Sequence, residues 1–316
     1  MPMTRGHKNG FVLVSVLWIT AMLTVITLGF GRRAALDRRA AAYALNQSEA
    51  MMMARGAVDR GIVEMHNRGI MQMLLPPELQ GGTHLGESWA HSKNLFEEEY
   101  FEQPEDFEND EVIYVITDEE RYININTSDE KLLENIEAMS RPLVRKIKAR
   151  RTTEIHDKEG VAPFQAIEEL RYLRDVDDED WFGDEDMPGL KNLLTVWGSG
   201  RVNVNTASPA VLQCIPEAKG SDIDTILAYR AGPDGEHYTE DDLGFRDMDD
   251  LTDKTGVTGA TREALDQYCI CTSVFFRITG VATRRQGRVR AVCSAMISLE
   301  EGISVILDWQ EKTLGS

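Results

Sequence analysis

The chain has 316 residues, 42% of them hydrophobic and 28% charged, which excludes a wholly disordered chain or a membrane channel and allows one large or two modest domains with a buried core. Its 53 acidic residues outnumber 34 Lys and Arg, for a formal net charge of -19; that field disfavours nucleic acid and anionic membrane surfaces as general partners, while leaving room for a local basic patch. Four cysteines, Cys214, Cys269, Cys271 and Cys293, are too few for a disulfide scaffold and lack zinc-finger spacing.

Residues 11–31, FVLVSVLWITAMLTVITLGFG, carry no charge. At a rise of 1.5 Å per residue, about 20 such residues form a helix that crosses roughly 30 Å of hydrocarbon. The β-branched Val12, Val14, Val16, Ile19 and Thr20 do not oppose a helix there, because lipid offers the backbone no other partner. Residues 32–70 are rich in Ala, Met, Leu, Arg and Glu and contain no proline, the next being Pro76, so helical propensity continues into water. Gly56 and Gly61 weaken it by about 1 kcal/mol each. One helix from about Phe11 to about Asn67 is expected, on the order of 85 Å long. Arg5 and Lys8 precede the apolar run, and Arg32, Arg33, Arg38 and Arg39 follow it. The positive-inside rule is therefore ambiguous or reversed, and charge alone leaves open a simple anchor with a cytoplasmic head.

A short basic leader ending in Gly10, then Phe11 and an uncharged helix leading into an amphipathic one, resembles a type IV prepilin-like signal. The resemblance implies that a membrane prepilin peptidase removes residues 1–10, cutting between Gly10 and Phe11 and methylating the new amino terminus. It also implies a single-pass protein of the bacterial inner membrane with its head in the periplasm. Most members of that family carry glutamate at the fifth mature position, and this chain has Ser15 there. A lone charge in lipid is costly and a paired one less so, so a subunit with no neighbour ahead of it has no charge to neutralise.

Residues 71–120 are read as the first part of a head domain, with a strand at Val112–Ile116 and a run of twelve acids between 97 and 120 that reads as a solvated face. A repeat follows. RYININTSDEKLLENI from 121 and GRVNVNTASPAVLQCI from 200 align at an offset of 79. Asn124, Asn126, Thr127, Leu133 and Ile136 match Asn203, Asn205, Thr206, Leu212 and Ile215, and Ile147 and Ala149 match Ile226 and Ala228. Alternating Ile or Val with Asn predicts short extended segments. Thr127 and Thr206 are suited to cap the helices that follow, and Pro209 suits a first helical turn. Further helices are expected at 141–151 and 221–230, with third segments from 161 and from 238. Residues 121–268 thus read as an all-helical insertion, α+β being the class of the whole, built of two small bundles near 124–175 and 203–265. The Asn-Thr starts resemble helix-hairpin-helix (SAM-like) modules, and an extracytoplasmic DNA-binding protein is the alternative this raises. Neither copy has a Gly-hydrophobic-Gly hairpin, and both lie in negative charge.

Two more acidic runs, 175–186 and 234–253, are interrupted by Gly and aromatic residues. Hard cations take six to eight oxygens, and Asp234, Glu236, Glu240, Asp241 and Asp242 beside Gly235 can supply them, completed by Asp247, Asp249 or Asp250. Asp175, Asp177 and Glu179 lack the glycine and glutamate of an EF-hand loop.

Three strands, 271–283, 288–299 and 303–309, close the chain (269–316), with a tight connection at Arg284–Gly287. They are expected to form a small antiparallel sheet packed on the long helix. Cys269 or Cys271 can pair with Cys214 or Cys293, or all four can remain buried thiols. No HExxH, GxSxG, phosphate loop or CxxC occurs, so no catalytic role is expected.

The missing glutamate, the long head and the helical insertion together resemble the general secretion pathway K family of minor pseudopilins. That resemblance implies a subunit at the tip of the type II secretion pseudopilus that helps initiate its assembly. It implies partnership with minor pseudopilins of the I and J types, the major pseudopilin and the inner-membrane assembly platform, no nucleic acid partner, and calcium bound in the helical region.

Overall fold

The computed structural model describes residues 8–76, 79–91, 93–94, 111–152, 163–173, 175–184, 187–284 and 289–315. Helix α1 (Lys8–Leu74) is unbroken for 67 residues, running past Asn67 until Pro76 disfavours helix in the residue before it. None of its most apolar window, of mean hydropathy 2.4, is buried against the rest of the chain. The hydroxyls in that stretch return to the helix itself: Ser15 donates to the Phe11 carbonyl at 2.9 Å, Thr20 to Leu17 at 2.9 Å, Thr24 to Thr20 at 2.7 Å and Thr27 to Leu23 at 2.7 Å. This leaves no side-chain hydroxyl there in need of water.

The second half of α1 is a different surface. Ala50, Ala54, Ala57, Val58 and Met65 are buried at the i, i+4, i+7, i+8, i+15 spacing of one helix face. That face lies on a five-stranded antiparallel sheet of β1 (Lys93–Asn94), β2 (Val112–Asp118), β3 (Phe275–Arg284), β4 (Val289–Glu300) and β5 (Ile303–Gly315), in that spatial order. The helix lies so close that a Cβ on Gly280 would stand 2.3 Å from the Ala54 carbonyl oxygen, and one on Gly61 2.6 Å from Ile278 Cγ2. Strand β3 starts at Phe275 rather than at 271 because Cys269–Ile270 pairs elsewhere, and β5 runs beyond Trp309 to Gly315. Arg284 pairs with Val289; the expected connection through Gly287 lies outside the described residues.

Strands β2 and β3 are neighbours, with Asp118 opposite Phe276, yet the whole helical region lies between them in sequence. The packing gives this region a position along α1. Ala54 meets Gly280, Gly61 meets Ile278, and Gly69 meets Gly302 in the β4–β5 turn. The Asp118 end of the sheet therefore lies at the C-terminal end of α1, remote from the apolar segment, and the insertion leaves and returns there.

Inside the insertion the offset of 79 survives folding: helices Glu130–Glu134 and Arg141–Thr152 recur as Pro209–Gln213 and Gly220–Arg230. Pro209 stands in the first helical turn, but Asp129 and Ser208, not Thr127 and Thr206, cap these helices by accepting from the Lys131 and Val211 amides. The expected helix from 238 is a run of turns, and the helices of that stretch are Met248–Thr255 and Ala260–Tyr268. Each copy closes with a two-residue parallel bridge, Ile123–Asn124 to Leu194–Thr195 and Val202–Asn203 to Cys269–Ile270. The two expected bundles are one body. Ile123, Leu133 and Ile147 share a continuous core with Val202, Leu212 and Ile226, separate from the core between α1 and the sheet. A unit of this size has too little interior to bury its apolar face alone.

Because Gly280 sits against the α1 backbone, Gly280→Ala is expected to destabilise the helix–sheet layer by about 1–3 kcal/mol, read as a lowered urea midpoint of the detergent-solubilised chain, while Gly56→Ala, with nothing near its Cβ position, should be neutral or stabilising.

Candidate functional site

Three consecutive acids join the sheet to the insertion. Asp118, Glu119 and Glu120 are buried, contrary to the solvated face expected for 97–120; residues 97–110 of that run lie outside the described residues. Asp118 Oδ2 accepts from Asn203 Nδ2 at 3.0 Å and from the Thr206 and Ser273 hydroxyls at 2.6 and 2.7 Å, and Oδ1 accepts from the Glu120 amide at 2.9 Å. Glu119 accepts from the Thr195 hydroxyl and from Arg277 Nε, each at 2.5 Å. Glu120 accepts from the Ser199 amide at 3.0 Å and the Val274 amide at 2.8 Å. Asp118 thus holds the start of the second repeat, Glu119 ties the end of the first to β3, and Glu120 holds the linker between them. Burial pushes the Asp118 carboxyl up to about 6, with the Thr206 and Ser273 hydroxyls opposing.

The same junction reaches α1. Arg68 pairs with both oxygens of Glu87, at 2.7 and 2.8 Å, and donates to Thr83 Oγ1 at 3.1 Å. Thr83 accepts at Oγ1 from the Ser273 amide and at its carbonyl from Asn203 Nδ2. One chain of hydrogen bonds therefore runs from the long helix to the second repeat and to the Asp118 carboxylate.

The asparagines of the repeat act as backbone clamps. Asn124 Oδ1 accepts from the Asn126 and Thr127 amides, and Asn203 Oδ1 from the Asn205 amide at 2.9 Å. Asn126 grips the Phe164 backbone through both its amide nitrogen and its oxygen, and Asn205 grips Phe245 in the same way. Thr206 donates to Asp118, whereas Thr127 reaches only the Gly198 carbonyl at 3.5 Å. Two further partners escaped the sequence reading although the offset relates them. Arg151 donates to the Ile125 and Ser128 carbonyls, and Arg230 to the equivalent Val204 and Ala207 carbonyls. Burial pulls Arg230 down to about 10, which leaves it cationic at neutral pH.

The acids from 234 to 250 separate into two sets. Asp247 caps the helix from Met248 and bonds Arg246, Asp250 pairs with Lys254 at 2.9 Å, and Asp249 pairs with Arg262 at 3.0 Å. These three are engaged away from the turn. Within the turn, Asp241 accepts from the Asp234 amide and the Thr239 hydroxyl, Asp234 from the Glu236 amide, and Asp242 Oδ2 from the Tyr238 amide at 2.7 Å. Glu236 and Glu240 face solvent. Asp242 is buried, and its Oδ1 has no hydrogen-bond donor; burial raises its carboxyl above the ordinary range. Among the described residues no three His, Cys, Asp or Glu side chains converge on a metal position. The turn set alone, with its donorless buried oxygen, fits part of the oxygen shell a hard cation needs.

All four cysteines are free and buried. Burial raises the thiols of Cys214 and Cys293 to about 11 and of Cys271 to about 12, which makes them poor nucleophiles. At the other end of the molecule, Phe11 is exposed and Ser15 is partly exposed on the apolar stretch, both far from the junction; Gly10 is helical.

No family model matches the sequence, and no curated protein matches it. Among solved structures it matches a chain of the GspK–GspI–GspJ complex of the type 2 secretion system from enterotoxigenic Escherichia coli, with a TM-score of 0.51 over 89% of this chain and 99% of that one. The fold is GspK-like. Sequence identity is 13%, so the likeness is one of architecture. The GspK-like fold accounts for the combination of a long apolar helix, an antiparallel sheet and helical content.

Titration of Asp118 gives a test of the junction. Between about 4 and about 6 the folded protein holds a proton on this carboxyl that the unfolded chain has released, so its contribution to stability declines as pH rises across that window and is flat above it. Asp118→Asn should remove that slope, on the order of 3 kcal/mol, and lower stability at pH 5 by about 1–3 kcal/mol through lost hydrogen bonds, as measured by denaturation at a series of pH values.

Proposed function

We propose that this protein is a minor pseudopilin that caps the tip of a type II secretion pseudopilus and helps to initiate its assembly. The observation that carries the reading is the GspK-like arrangement in which the helical insertion sits at the end of the sheet remote from the apolar part of α1. A subunit added above would need that position, and an insertion with its own core, tied to the sheet through buried carboxylates, does not yield it cheaply. Ser15 supports the same reading, since its hydroxyl is satisfied by Phe11 and brings no charge that a subunit ahead would have to balance.

In this proposal α1 is anchored in the bacterial inner membrane by residues 11–31, the head is periplasmic, and prepilin peptidase releases and methylates Phe11. The partners are minor pseudopilins of the I and J types, by analogy with the complex that shares the fold, together with the major pseudopilin filament and the inner-membrane assembly platform. The role is assembly rather than catalysis. The DNA-binding alternative is not favoured: the net charge is -19, and the asparagines that open each repeat are committed to the protein's own backbone.

Calcium at the 234–242 turn belongs to this proposal, supported by the donorless Asp242 Oδ1; Asp234 and Asp241 are the neighbouring carboxylates that an ion would have to draw toward it, because the three do not converge without one. Millimolar calcium should raise the melting temperature of the head, and Asp242→Asn should abolish that rise while Asp249→Asn, on the helix, leaves it intact. An unchanged melting temperature in the native sequence removes calcium from the proposal.

Intact-mass measurement of the protein from its membrane should give a chain that begins at methylated Phe11. Replacing 121–272 by a short linker across the adjacent ends of β2 and β3, and separately Ser15→Glu, should change the number or length of pseudopili seen by immuno-electron microscopy. If both variants leave number, length and export untouched, the tip assignment fails.

A further inference from the structure

Arg32, Arg33, Arg38 and Arg39 follow the uncharged segment within a single stretch of eight residues, with Asp37 as the one acid among them. All four are exposed on α1. Among the described residues none has an ion-pair partner; the one side-chain hydrogen bond is from Arg38 Nε to the Ala34 carbonyl at 3.3 Å, which leaves its terminal nitrogens available.

Their arrangement around the helix identifies what they meet. At 3.6 residues per turn, Arg33, Arg38 and Arg39 stand about 100°, 240° and 340° round from Arg32. A neighbouring protein reads one face of a helix, whereas this charge points in every direction. Only a medium that surrounds the helix can meet all four. The set covers roughly 10 Å along the axis, matching about 5–8 Å of headgroup region in one leaflet plus the reach of the side chains. The head does not compensate them: α1 meets the sheet's core from Tyr43, roughly 6 Å beyond Arg39, and is first fully buried there at Ala50, yet among the described residues no carboxylate pairs with any of the four.

We propose that these four arginines form a collar that binds the phosphates of anionic phospholipid headgroups on the side of the membrane where the head emerges. The proposal rests on the membrane-anchored reading above and adds the ligand of the juxtamembrane segment. Guanidinium groups suit the task because their forked donors match phosphate oxygens two at a time. The collar sets the depth of α1 by holding the boundary after Gly31 at the headgroup level. It also offsets locally the repulsion between an anionic surface and a head that carries the net negative charge. Withdrawal of α1 from the bilayer would then require these phosphate contacts to be given up first.

The full chain in phosphatidylcholine vesicles doped with spin-labelled phosphatidylglycerol or spin-labelled phosphatidylcholine tests this, the motionally restricted fraction giving the relative affinity for each lipid. A severalfold preference for phosphatidylglycerol is expected. Each Arg→Gln change should reduce it, by up to roughly fivefold, and the quadruple variant should approach parity. Added chloride should weaken the preference by screening, and inorganic phosphate at matched ionic strength should do no more; stronger displacement by phosphate would make the site one for a free anion and overturn the lipid assignment. Parity in the native sequence, or a preference that survives in the quadruple variant, also overturns it. Flotation after carbonate extraction separates the two levels of the argument. A chain that integrates normally but shows parity loses only the collar, and a chain that does not integrate loses the anchored reading as well.

Discussion

Three carboxylates in a row with almost no contact with water are the constraint around which this molecule is arranged. Asp118, Glu119 and Glu120 lie where β2 ends, and each is matched by donors from a different part of the chain: the second repeat, the end of the first, the linker between them, and the start of β3. An unpaired buried carboxylate is far more costly than a paired one. The insertion can therefore occupy one position relative to the sheet, because any other leaves these groups without their donors. Arg68 and Thr83 extend the constraint to α1, so the direction of the long helix and the position of the insertion are set together.

The long helix itself meets two solvents. Up to Gly31 its side chains face outward and are apolar, with hydroxyls folded back on the helix; from Ala50 its small residues lie against strands that are themselves notched by Gly280. A helix that is apolar on all sides has no reason to choose one orientation inside a protein, whereas one with an alanine face against a glycine-notched strand does. The middle stretch carries the arginines and is mostly exposed, touching the sheet's core at Tyr43. It separates the acidic head from the apolar segment by a rigid distance.

Duplication supplied the insertion with most of its internal frame. Paired asparagines clamp the backbone in each copy, and Arg151 and Arg230 collect equivalent carbonyls at the ends of equivalent helices. The copies diverged where they meet the rest of the molecule. Thr206 points at Asp118 while Thr127 faces a loop carbonyl, and in the second copy His84 and Gly86 from the segment after α1 pack against the acid-rich turn. A symmetric core with asymmetric edges is what a single junction to the sheet requires.

The sequence by itself determined the features that depend on near neighbours. An uncharged run of helix-spanning length, a proline-free continuation, alternation in the C-terminal strands and a repeat at constant offset each follow from local chemistry and were readable from residues 11–31, from 32 to about 67, from 271–309 and from the Asn-Thr pairs. The tertiary structure alone decided what depends on residues distant in the chain. The helix cap at Asp129 was a local choice, since this residue lies two residues from Thr127 and its type caps at least as well, whereas nothing near Asp118 reveals that Ser273 and Asn203 will donate to it. Likewise, Asp247, Asp249 and Asp250 read as companions of Asp234 and Asp242 until a helix turns them toward Arg246, Lys254 and Arg262. Periodicity reports which side of an element is apolar; whether a charge is solvated or buried is settled by donors that only folding brings within hydrogen-bond reach.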